Sequence, residues 1–309
     1  MIRIEKVLDK NELKNFVKFP FKLYKNSKYW VPPIIEQEIN NFDKDLNPNL
    51  KNSSVELFLA FHDKEVVGRI AVIINWYEVK KQKTNKIRFG WFDFIDNYDV
   101  SKKLLQKVIE IGKANKLDYM EGPMGFSNLD KVGVLTSGFD IIGTMITTYN
   151  YNYYKNHYEK YGLKVEKKFR EKTFMFKDID TEYYEKMSRI VKKRNNLREV
   201  NFYSTDKVMN KANQMFDLFN ESYSKLSSFV KISDIQKEYM KKKFLSFINP
   251  EYIKFVENSE NKIVAFAIIM PSFAKALQRT SGKLFPFGFL HLLYAKKFNK
   301  DVTLYLIGI

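Results

Sequence analysis

The hydrophobic pattern of residues 87–126 predicts a strand, a helix and a second strand, and the rest of the chain is arranged around this unit. Residues 87–95 are mostly aromatic or β-branched, which favours a strand buried on both faces. In residues 99–115 apolar side chains recur at helical spacing, with Asp99 as the expected N-terminal cap. Residues 117–126 are extended again, so the two strands are expected to pair in parallel through a right-handed crossover.

The sequence on either side predicts strands and helices in a regular order. Residues 2–7 alternate as a strand does, and Asp9 or Asn11 is a suitable cap for the helix that follows. Residues 55–74 have the composition of a β-hairpin. After the central unit, residues 125–140 form a long glycine-containing loop, a kind of segment that is often functional.

A helix through Tyr158 and Tyr161 is predicted to end at Gly162, and residues 164–176 alternate like a strand. The second half then repeats the order of the first. The predicted elements are a charged helix at 178–196, a strand at 199–203, a helical region at 211–248, a hairpin at 252–270 and a strand at 302–307.

Composition excludes several classes of protein. The chain has 309 residues, 45% of them hydrophobic, which is enough for two domains. No stretch approaches the roughly 20 apolar residues of a membrane helix, so no stable membrane insertion is expected. Cysteine is absent and the three histidines lie far apart, so no metal is expected. The N-terminus does not resemble a signal peptide, and the expected location is cytoplasmic.

The net charge of +17 has two interpretations. One is a polyanionic partner such as RNA. The other is compositional, because Lys, Asn, Ile, Phe and Tyr are abundant together, as in chains encoded by AT-rich DNA. The basic runs are scattered along the chain, which favours the second interpretation.

Residues 158–163, Tyr-Glu-Lys-Tyr-Gly-Leu, resemble the Tyr-Glu-Lys-x-Gly-Phe ending of the fourth helix in the GNAT acyltransferase superfamily. The order of elements, given twice, also resembles that superfamily in tandem, and motifs such as residues 122–126 resemble an uncharacterised bacterial group within it. The resemblance implies an α/β (α+β) fold with two GNAT-like domains, each a mixed, mostly antiparallel sheet flanked by helices. The implied boundaries are residues 1–177 for the first domain, 178–197 for a linker helix and 198–309 for an incomplete second domain.

The resemblance implies acyl transfer from acyl-CoA, such as acetyl-CoA, to a small-molecule amine. The superfamily holds the CoA pyrophosphate on a Gln/Arg-x-x-Gly-x-Gly/Ala loop at a helix N-terminus. Here that position reads Asp96-Asn97-Tyr98-Asp99, without glycine and with two carboxylates. A like-charge contact at ~4 Å costs on the order of 4 kcal/mol, so CoA is not expected to bind this chain in the usual way. The matching loop of the second domain would follow Ile309, so we expect either a truncated gene product or a second domain that has degenerated.

Candidate site residues come from the helix ending and from the loop before it. Tyr158 matches the superfamily's region for protonating the leaving thiolate, although packing on the helix is the favoured interpretation. Substrate contacts are predicted for a set of loop carboxylates, amides and tyrosines: Asn128, Asp130, Asp140, Tyr149, Asn150, Tyr153 and Tyr154. The alternative roles for these residues are turn formation and interface packing. An outward-pointing side chain is expected for Arg69.

Three other functions stay open at the level of the sequence. The first is an aminoacyl-tRNA-dependent transferase, which would account for the positive charge. The second is a non-catalytic small-molecule-binding module on the same scaffold. The third is attachment to an anionic membrane through the apolar residues 285–294, which are flanked by Lys296 and Lys297. The exposed edge of the last strand also raises the prospect of pairing with another chain.

Overall fold

The computed structural model of the protein describes residues 1–127, 129–226, 229–245 and 248–309. The strands are β1 Ile2–Lys6, β2 Ser53–His62, β3 Glu65–Asn75, β4 Lys86–Phe94, β5 Tyr119–Glu121, β6 Arg198–Asn201, β7 Ile253–Glu257, β8 Ile263–Pro271 and β9 Val302–Gly308. The helices are α1 Lys10–Leu23, α2 Ile35–Asn40, α3 Trp76–Lys80, α4 Tyr98–Ala114, α5 Tyr153–Tyr161, α6 Thr181–Arg194, α7 Thr205–Tyr223, α8 Asp234–Met240, α9 Ala274–Thr280 and α10 Gly288–Phe298.

The chain divides into two compact units. Unit 1 consists of Met1–Lys164 together with Ser272–Lys300, and unit 2 consists of Val165–Pro271 together with Asp301–Ile309. Helices α9 and α10, which come late in the sequence, therefore belong to the first unit. The buried side chains of α9 and α10 pack against side chains of residues that precede β2, and these contacts join the two helices to unit 1.

Unit 1 contains a five-stranded sheet in the order β1-β2-β3-β4-β5. The first four strands pair antiparallel, and β4 pairs with β5 in parallel after the crossover through α4. This confirms the predicted strand–helix–strand unit, although β5 is shorter than the pattern suggested. Helix α5 ends at Gly162, whose φ of 88° suits glycine, and this predicted cap is confirmed.

Unit 2 contains a four-stranded antiparallel sheet in the order β6-β7-β8-β9. Strands β7 and β8 form the second predicted hairpin. Met215, Phe216 and Phe219 of α7 and Phe255 of β7 are buried, so α7 covers the sheet as an amphipathic helix does. The order strand, helices, hairpin, strand occurs in both units, and the α/β fold class with two helix-flanked sheets is confirmed.

The sheet of unit 1 is covered on both faces. Helices α4 and α5 cover one face, where Gly68 of β3 allows α4 to approach, since a Cβ there would lie 2.8 Å from Val100 and 2.9 Å from Leu104. Helix α1 covers the other face. The buried side chains on this second face include Phe16, Val17, Leu57, Leu59 and Ala71.

Asn97, and not Asp99, caps helix α4. The Asn97 side chain accepts a hydrogen bond from the Asp99 backbone N–H at 3.0 Å, while Asp99 lies in the first turn. Both residue types are good caps, and the helix begins one residue earlier than the apolar spacing indicated.

Two other local predictions are wrong. Residues 164–176 contain no strand, because their side chains are exposed and no described strand lies beside them. The helical region predicted at 211–248 is interrupted after Tyr223. The Asn220 side chain donates to the Ile232 carbonyl at 3.0 Å and accepts from the Ile232 N–H at 2.8 Å, which holds this non-helical link against α7.

Candidate functional site

Strand β4 contains a β-bulge in its second half. Arg69 of β3 pairs with Asp93 and Ala71 pairs with Gly90, so β4 has one residue more than β3 in this interval. Trp91 lies in the bulge with a φ of 44°, a conformation that side chains other than glycine rarely adopt. Bulges of this kind redirect side chains, and they are frequent next to active sites.

The bulge places Trp91 on the face covered by α1 and α2. Its indole Nε1 donates to Glu38 Oε2 of α2 at 2.7 Å, and its ring packs against Phe42 and Phe126. On the opposite face, Phe92 belongs to the core under α4. The second half of β4 thus places Trp91 on one face of the sheet and Phe92 on the other.

The Asp93 carboxylate is the centre of a buried polar network. Arg69 donates to its Oδ2 from Nε at 2.8 Å and from Nη2 at 2.7 Å, and the Tyr24 hydroxyl donates to its Oδ1 at 2.9 Å. The Tyr24 and Tyr154 hydroxyl oxygens lie 2.9 Å apart. The Phe94 N–H in turn donates to the Tyr154 hydroxyl at 3.1 Å. Each group in this chain of contacts has a partner, as buried polar groups require.

Arg69 points inward, contrary to the expectation from the sequence. Its side chain is buried, its Nη1 donates to the Phe16 carbonyl at 2.9 Å, and its guanidinium lies 5.1 Å from the centre of the Phe16 ring. The reason is that α1 covers this face of the sheet, so an arginine there must pair with Asp93 and with the backbone of the helix.

The Tyr158 hydroxyl is different from its neighbours. Among the buried side-chain nitrogen and oxygen atoms of the described residues, it is the one without a hydrogen-bond partner. The Tyr158 ring centre lies 6.4 Å from that of Phe89 and 5.8 Å from that of Phe92. Burial, with a smaller contribution from the Asp93 charge, raises the pKa of Tyr158 well above its usual value. The hydroxyl therefore stays protonated at neutral pH.

Lys131 lies on the loop after β5, beside the same carboxylate. The residue directly precedes Val132, which forms an antiparallel bridge with Met124, and its side chain is exposed. Desolvation nevertheless lowers the pKa of Lys131, although Glu38 and Asp93 oppose the shift. The Asp93 charge therefore contributes to the pKa shifts of both Lys131 and Tyr158.

The predicted residue Asn150 has structural partners. Its side chain accepts from the Leu135 N–H at 2.7 Å and donates to the Leu135 carbonyl at 3.1 Å, which closes the long loop on itself. The Tyr149 hydroxyl donates to the Phe139 carbonyl at 3.4 Å, and its ring packs on Tyr24. These contacts hold the loop in place next to the Asp93 network.

The tyrosines at the start of α5 are tied to β4. The Tyr153 hydroxyl donates to the Phe94 carbonyl at 2.6 Å, and the Tyr154 ring stacks on that of Phe94 at 4.2 Å between centres. Burial is the main cause that raises the pKa of both hydroxyls. The two residues connect α5 to the strand that carries the bulge.

The remaining predicted residues are in the loop itself. The Asp130 carboxylate accepts from the Ser127 N–H at 2.9 Å, as a turn-forming aspartate does. Asp140 is exposed. Asn128 lies outside the described residues.

The start of α4, which corresponds to the superfamily's pyrophosphate loop, is closed by the chain's own side chains. Asn97 caps the helix, and Asp96 Oδ1 lies 3.0 Å from His157 Nε2. The other ring nitrogen of His157 lies 2.8 Å from the Ser101 hydroxyl. With Asp99 in the first turn, this end of the helix presents carboxylates where a diphosphate would need N–H donors. Within the described parts of the chain, no cluster of acidic or histidine side chains could hold a metal ion.

Sequence reasoning missed most of the residues around Asp93. The network joins Tyr24, Arg69 and Tyr154 from distant parts of the chain, and nothing in their local sequence predicts that they meet. One signal was present, since Asp93 is the single carboxylate between Ile87 and Ile95. A lone carboxylate in a buried strand requires a cationic or hydrogen-bonding partner.

Two curated proteins are similar to this chain, whereas no family model matches it. Protein YghO of Escherichia coli K12 is 23% identical over 293 residues, which is 94% of this chain and 73% of that protein. The bacterial ceramide synthase of Caulobacter vibrioides is 23% identical over 304 residues, which is 96% of this chain and 78% of that protein.

Among solved structures, a tandem GNAT protein from the clavulanic acid biosynthesis pathway matches 87% of this chain and 74% of its own, with 7% identity and a TM-score of 0.44. A predicted acetyltransferase with acetyl-CoA from Clostridium acetobutylicum matches 56% of this chain and 96% of its own, with 13% identity and a TM-score of 0.35. The order strand, helices, hairpin and strand, which the sequence predicts twice, is present in both units.

Proposed function

We propose that the protein is an acyltransferase that moves an acyl group from an acyl-CoA thioester onto an amine. The observation that supports this most directly is the Tyr158 hydroxyl, which is buried, protonated and without a partner in the described chain. When an amine attacks a thioester carbonyl, a C–N bond forms, the C–S bond breaks and the thiolate must take up a proton. In this proposal Tyr158 gives that proton.

In this proposal the acceptor amine binds on the other side of Asp93. The carboxylates of Glu38 and Asp93 attract a cationic amine, and Lys131, whose pKa is lowered, accepts the proton that the amine loses on attack. The start of α4 does not fit a pyrophosphate. The proposal therefore requires only that the thioester end of the acyl donor lies near Tyr158. We assign to unit 1 the acceptor site and the proton transfers.

The acceptor class to test first is a long-chain amine. One relative is named as a ceramide synthase, and a ceramide is the amide of a fatty acid with a long-chain amino alcohol. The chain has no cysteine, so a thiol reagent reports released CoA without background from the protein. We expect thiol release from palmitoyl-CoA that depends on added sphinganine, with the amide identified by mass spectrometry.

A panel of short amines and buffer without amine are the controls for this assay. Thiol release that is the same with and without every amine, and that yields only free fatty acid, contradicts the acyltransferase. A ligand that copurifies and is never turned over supports the non-catalytic binding module instead.

An aminoacyl-tRNA donor is the second candidate, and two observations favour it. The start of α4 is closed to a CoA pyrophosphate, and the net charge of +17 suits a polyanion. If tRNA is the donor, its binding must weaken steeply as salt increases, because each neutralised phosphate releases counterions. Binding that is absent, or that does not change with salt, excludes this donor.

A further inference from the structure

Residues Ser272–Lys300, here called the insert, differ in composition from the rest of the chain. The segment contains no aspartate or glutamate. Its basic side chains are Lys275, Arg279, Lys283, Lys296, Lys297 and Lys300. The insert therefore has a net positive charge, and most of its uncharged residues are apolar or aromatic.

The insert is fixed to unit 1 by buried contacts and by backbone hydrogen bonds. Gln278 Nε2 donates to the carbonyls of Lys28 at 2.9 Å and Trp30 at 3.0 Å. The Ile35 N–H donates to the Gly282 carbonyl at 2.9 Å. Side chains that face inward form a small core: Val31, Phe273, Ala274, Ala276, Leu277, Leu292 and Ala295. The insert is thus a rigid platform.

The outer face of the insert is apolar and uncovered. We define this outer face by the exposed side chains Phe285, Phe287, Phe289, Leu290, Leu293, Tyr294 and Phe298. Phe285 is 74% exposed, Phe287 71% and Tyr294 63%. Leu290, Tyr294 and Phe298 are four residues apart, so they form one row along α10.

Helix α10 is therefore hydrophobic on both sides, although the core of unit 1 covers only one. Such a helix is normally buried or in contact with lipid. An exposed apolar patch of this kind marks a binding surface. A binding partner of the outer face must accept aromatic and aliphatic side chains and must also be compatible with the basic residues of the insert.

We propose that the outer face docks on the surface of an anionic lipid membrane, with α10 lying in the plane of the interface. The aromatic rings would enter the boundary between headgroups and acyl chains, and lysines such as Lys283, Lys297 and Lys300 would contact lipid phosphates. Helix α10 has 11 residues, about 16 Å of helix, against roughly 30 Å of hydrocarbon, so it lies on the membrane and does not cross it. No helix in the described residues is long and apolar enough to span a bilayer.

Charge complementarity selects this occupant over two others. A second copy of the chain would bring two faces together that are both positive and have no acidic residue in the insert, which repels them. Nucleic acid would satisfy the lysines but would leave the leucines of α10 without a partner. An anionic membrane satisfies both, and this inference does not depend on the acyltransferase activity.

The test is sedimentation of the full chain with vesicles. We expect binding to phosphatidylcholine vesicles that contain phosphatidylglycerol, little binding to phosphatidylcholine alone, and release by salt. Replacing three residues of the outer face, Phe285→Ser, Phe287→Ser and Leu293→Ser, should weaken binding on the order of tenfold or more. Because these side chains are exposed, the variant keeps its unfolding midpoint.

A matched control changes an exposed aromatic pair on α6, Tyr183→Ser with Tyr184→Ser, and should bind vesicles as the unchanged chain does. A charge variant, Lys283→Glu with Lys297→Glu, should lose the preference for anionic lipid. Equal binding to both kinds of vesicle, or unchanged binding by the triple variant, overturns the proposal. A dimer that the triple variant converts to a monomer also overturns it, because the occupant is then a second copy.

Discussion

The two halves of strand β4 treat their polar groups differently, and the first half is the more deeply buried. In the first half, Arg88 donates to Glu78 from Nε at 2.7 Å and from Nη2 at 2.5 Å, and Lys86 Nζ lies 2.6 Å from Glu121. These charges compensate one another. In the second half, after the bulge at Trp91, the network around Asp93 is surrounded by groups that are left open.

This difference separates the part of unit 1 that we expect to contribute stability from the part to which we assign the proposed chemistry. The ion pairs of the first half are closed, since Arg88 is fully buried and Glu78 and Lys86 are nearly so. In the second half, the Tyr158 hydroxyl has no partner in the described chain, and Lys131 is both accessible and desolvated. Groups without a partner are costly in a folded protein and are retained where a ligand completes them.

The largest expected effect is on the closed half. Glu78→Gln removes the carboxylate that faces both Arg88 and Lys86, and we expect a loss of about 3–5 kcal/mol in the free energy of unfolding, because a buried cation loses its partner. Urea denaturation measures this loss. Glu110→Gln breaks an exposed pair with Lys107 and should cost about 1 kcal/mol at most. Similar losses for both variants would show that the first half is not an essential closed network.

The next effect concerns the open half and is catalytic. Lys131→Met should reduce acyl transfer by about a hundredfold or more, since the acceptor amine loses its proton acceptor. The unchanged chain should gain activity as rising pH removes the proton from Lys131, whose pKa is lowered, and the variant should lack this dependence. A pH–rate profile measures both, with Lys102→Met on the exposed side of α4 as the control. Identical profiles for the unchanged chain and Lys131→Met contradict this role.

A smaller effect is expected at the network that supports the open half. Tyr154→Phe leaves the Phe94 N–H without its acceptor and removes a contact of the Tyr24 hydroxyl, which should cost about 1–3 kcal/mol of unfolding free energy. Tyr98→Phe removes a solvent-exposed hydrogen bond to Lys160 and should cost about 0.5 kcal/mol or less. If thermal unfolding gives equal shifts for the two variants, the network does not stabilise the fold.

The tyrosines also predict a dependence of stability on pH. Burial is the main cause that raises the pKa of Tyr24, Tyr154 and Tyr158 above the value of the unfolded chain. Their contribution is therefore complete below about pH 10 and is lost as the pH rises further, by up to about 1.4 kcal/mol per pH unit for each tyrosine. Urea denaturation on both sides of that pH should show the decline, with a shallower slope in Tyr154→Phe. A flat profile contradicts the burial of these hydroxyls.

Local patterns predicted the elements that carry the site but not the contacts that form it. The strand–helix–strand unit, both hairpins and the Gly162 cap follow from spacing within a few residues, and all are confirmed. The bulge at Trp91 depends on how β4 pairs with β3, and the partners of Asp93 come from α1, β3 and α5. Such long-range pairing has no periodic signal in the sequence.

The candidate residues show the same division. The sequence predicts substrate contacts for Asn150 and Tyr153 because they are polar and lie near a glycine-containing loop, but their side chains bond to backbone groups of unit 1. Tyr158 is predicted from the resemblance, and its hydroxyl has no such partner in the described chain. Residue type and loop position could not separate these cases, because the distinction depends on tertiary contacts.

The central claim is that Tyr158 serves catalysis and not stability, and Tyr158→Phe tests it most directly. The measurement compares the free energy of unfolding with the rate of amine-dependent CoA release. We predict that stability is unchanged or rises by about 1 kcal/mol, because no hydrogen bond is lost, while the rate falls by about a hundredfold or more. An unchanged rate, or a fall in rate that only follows a loss of stability, would contradict the claim.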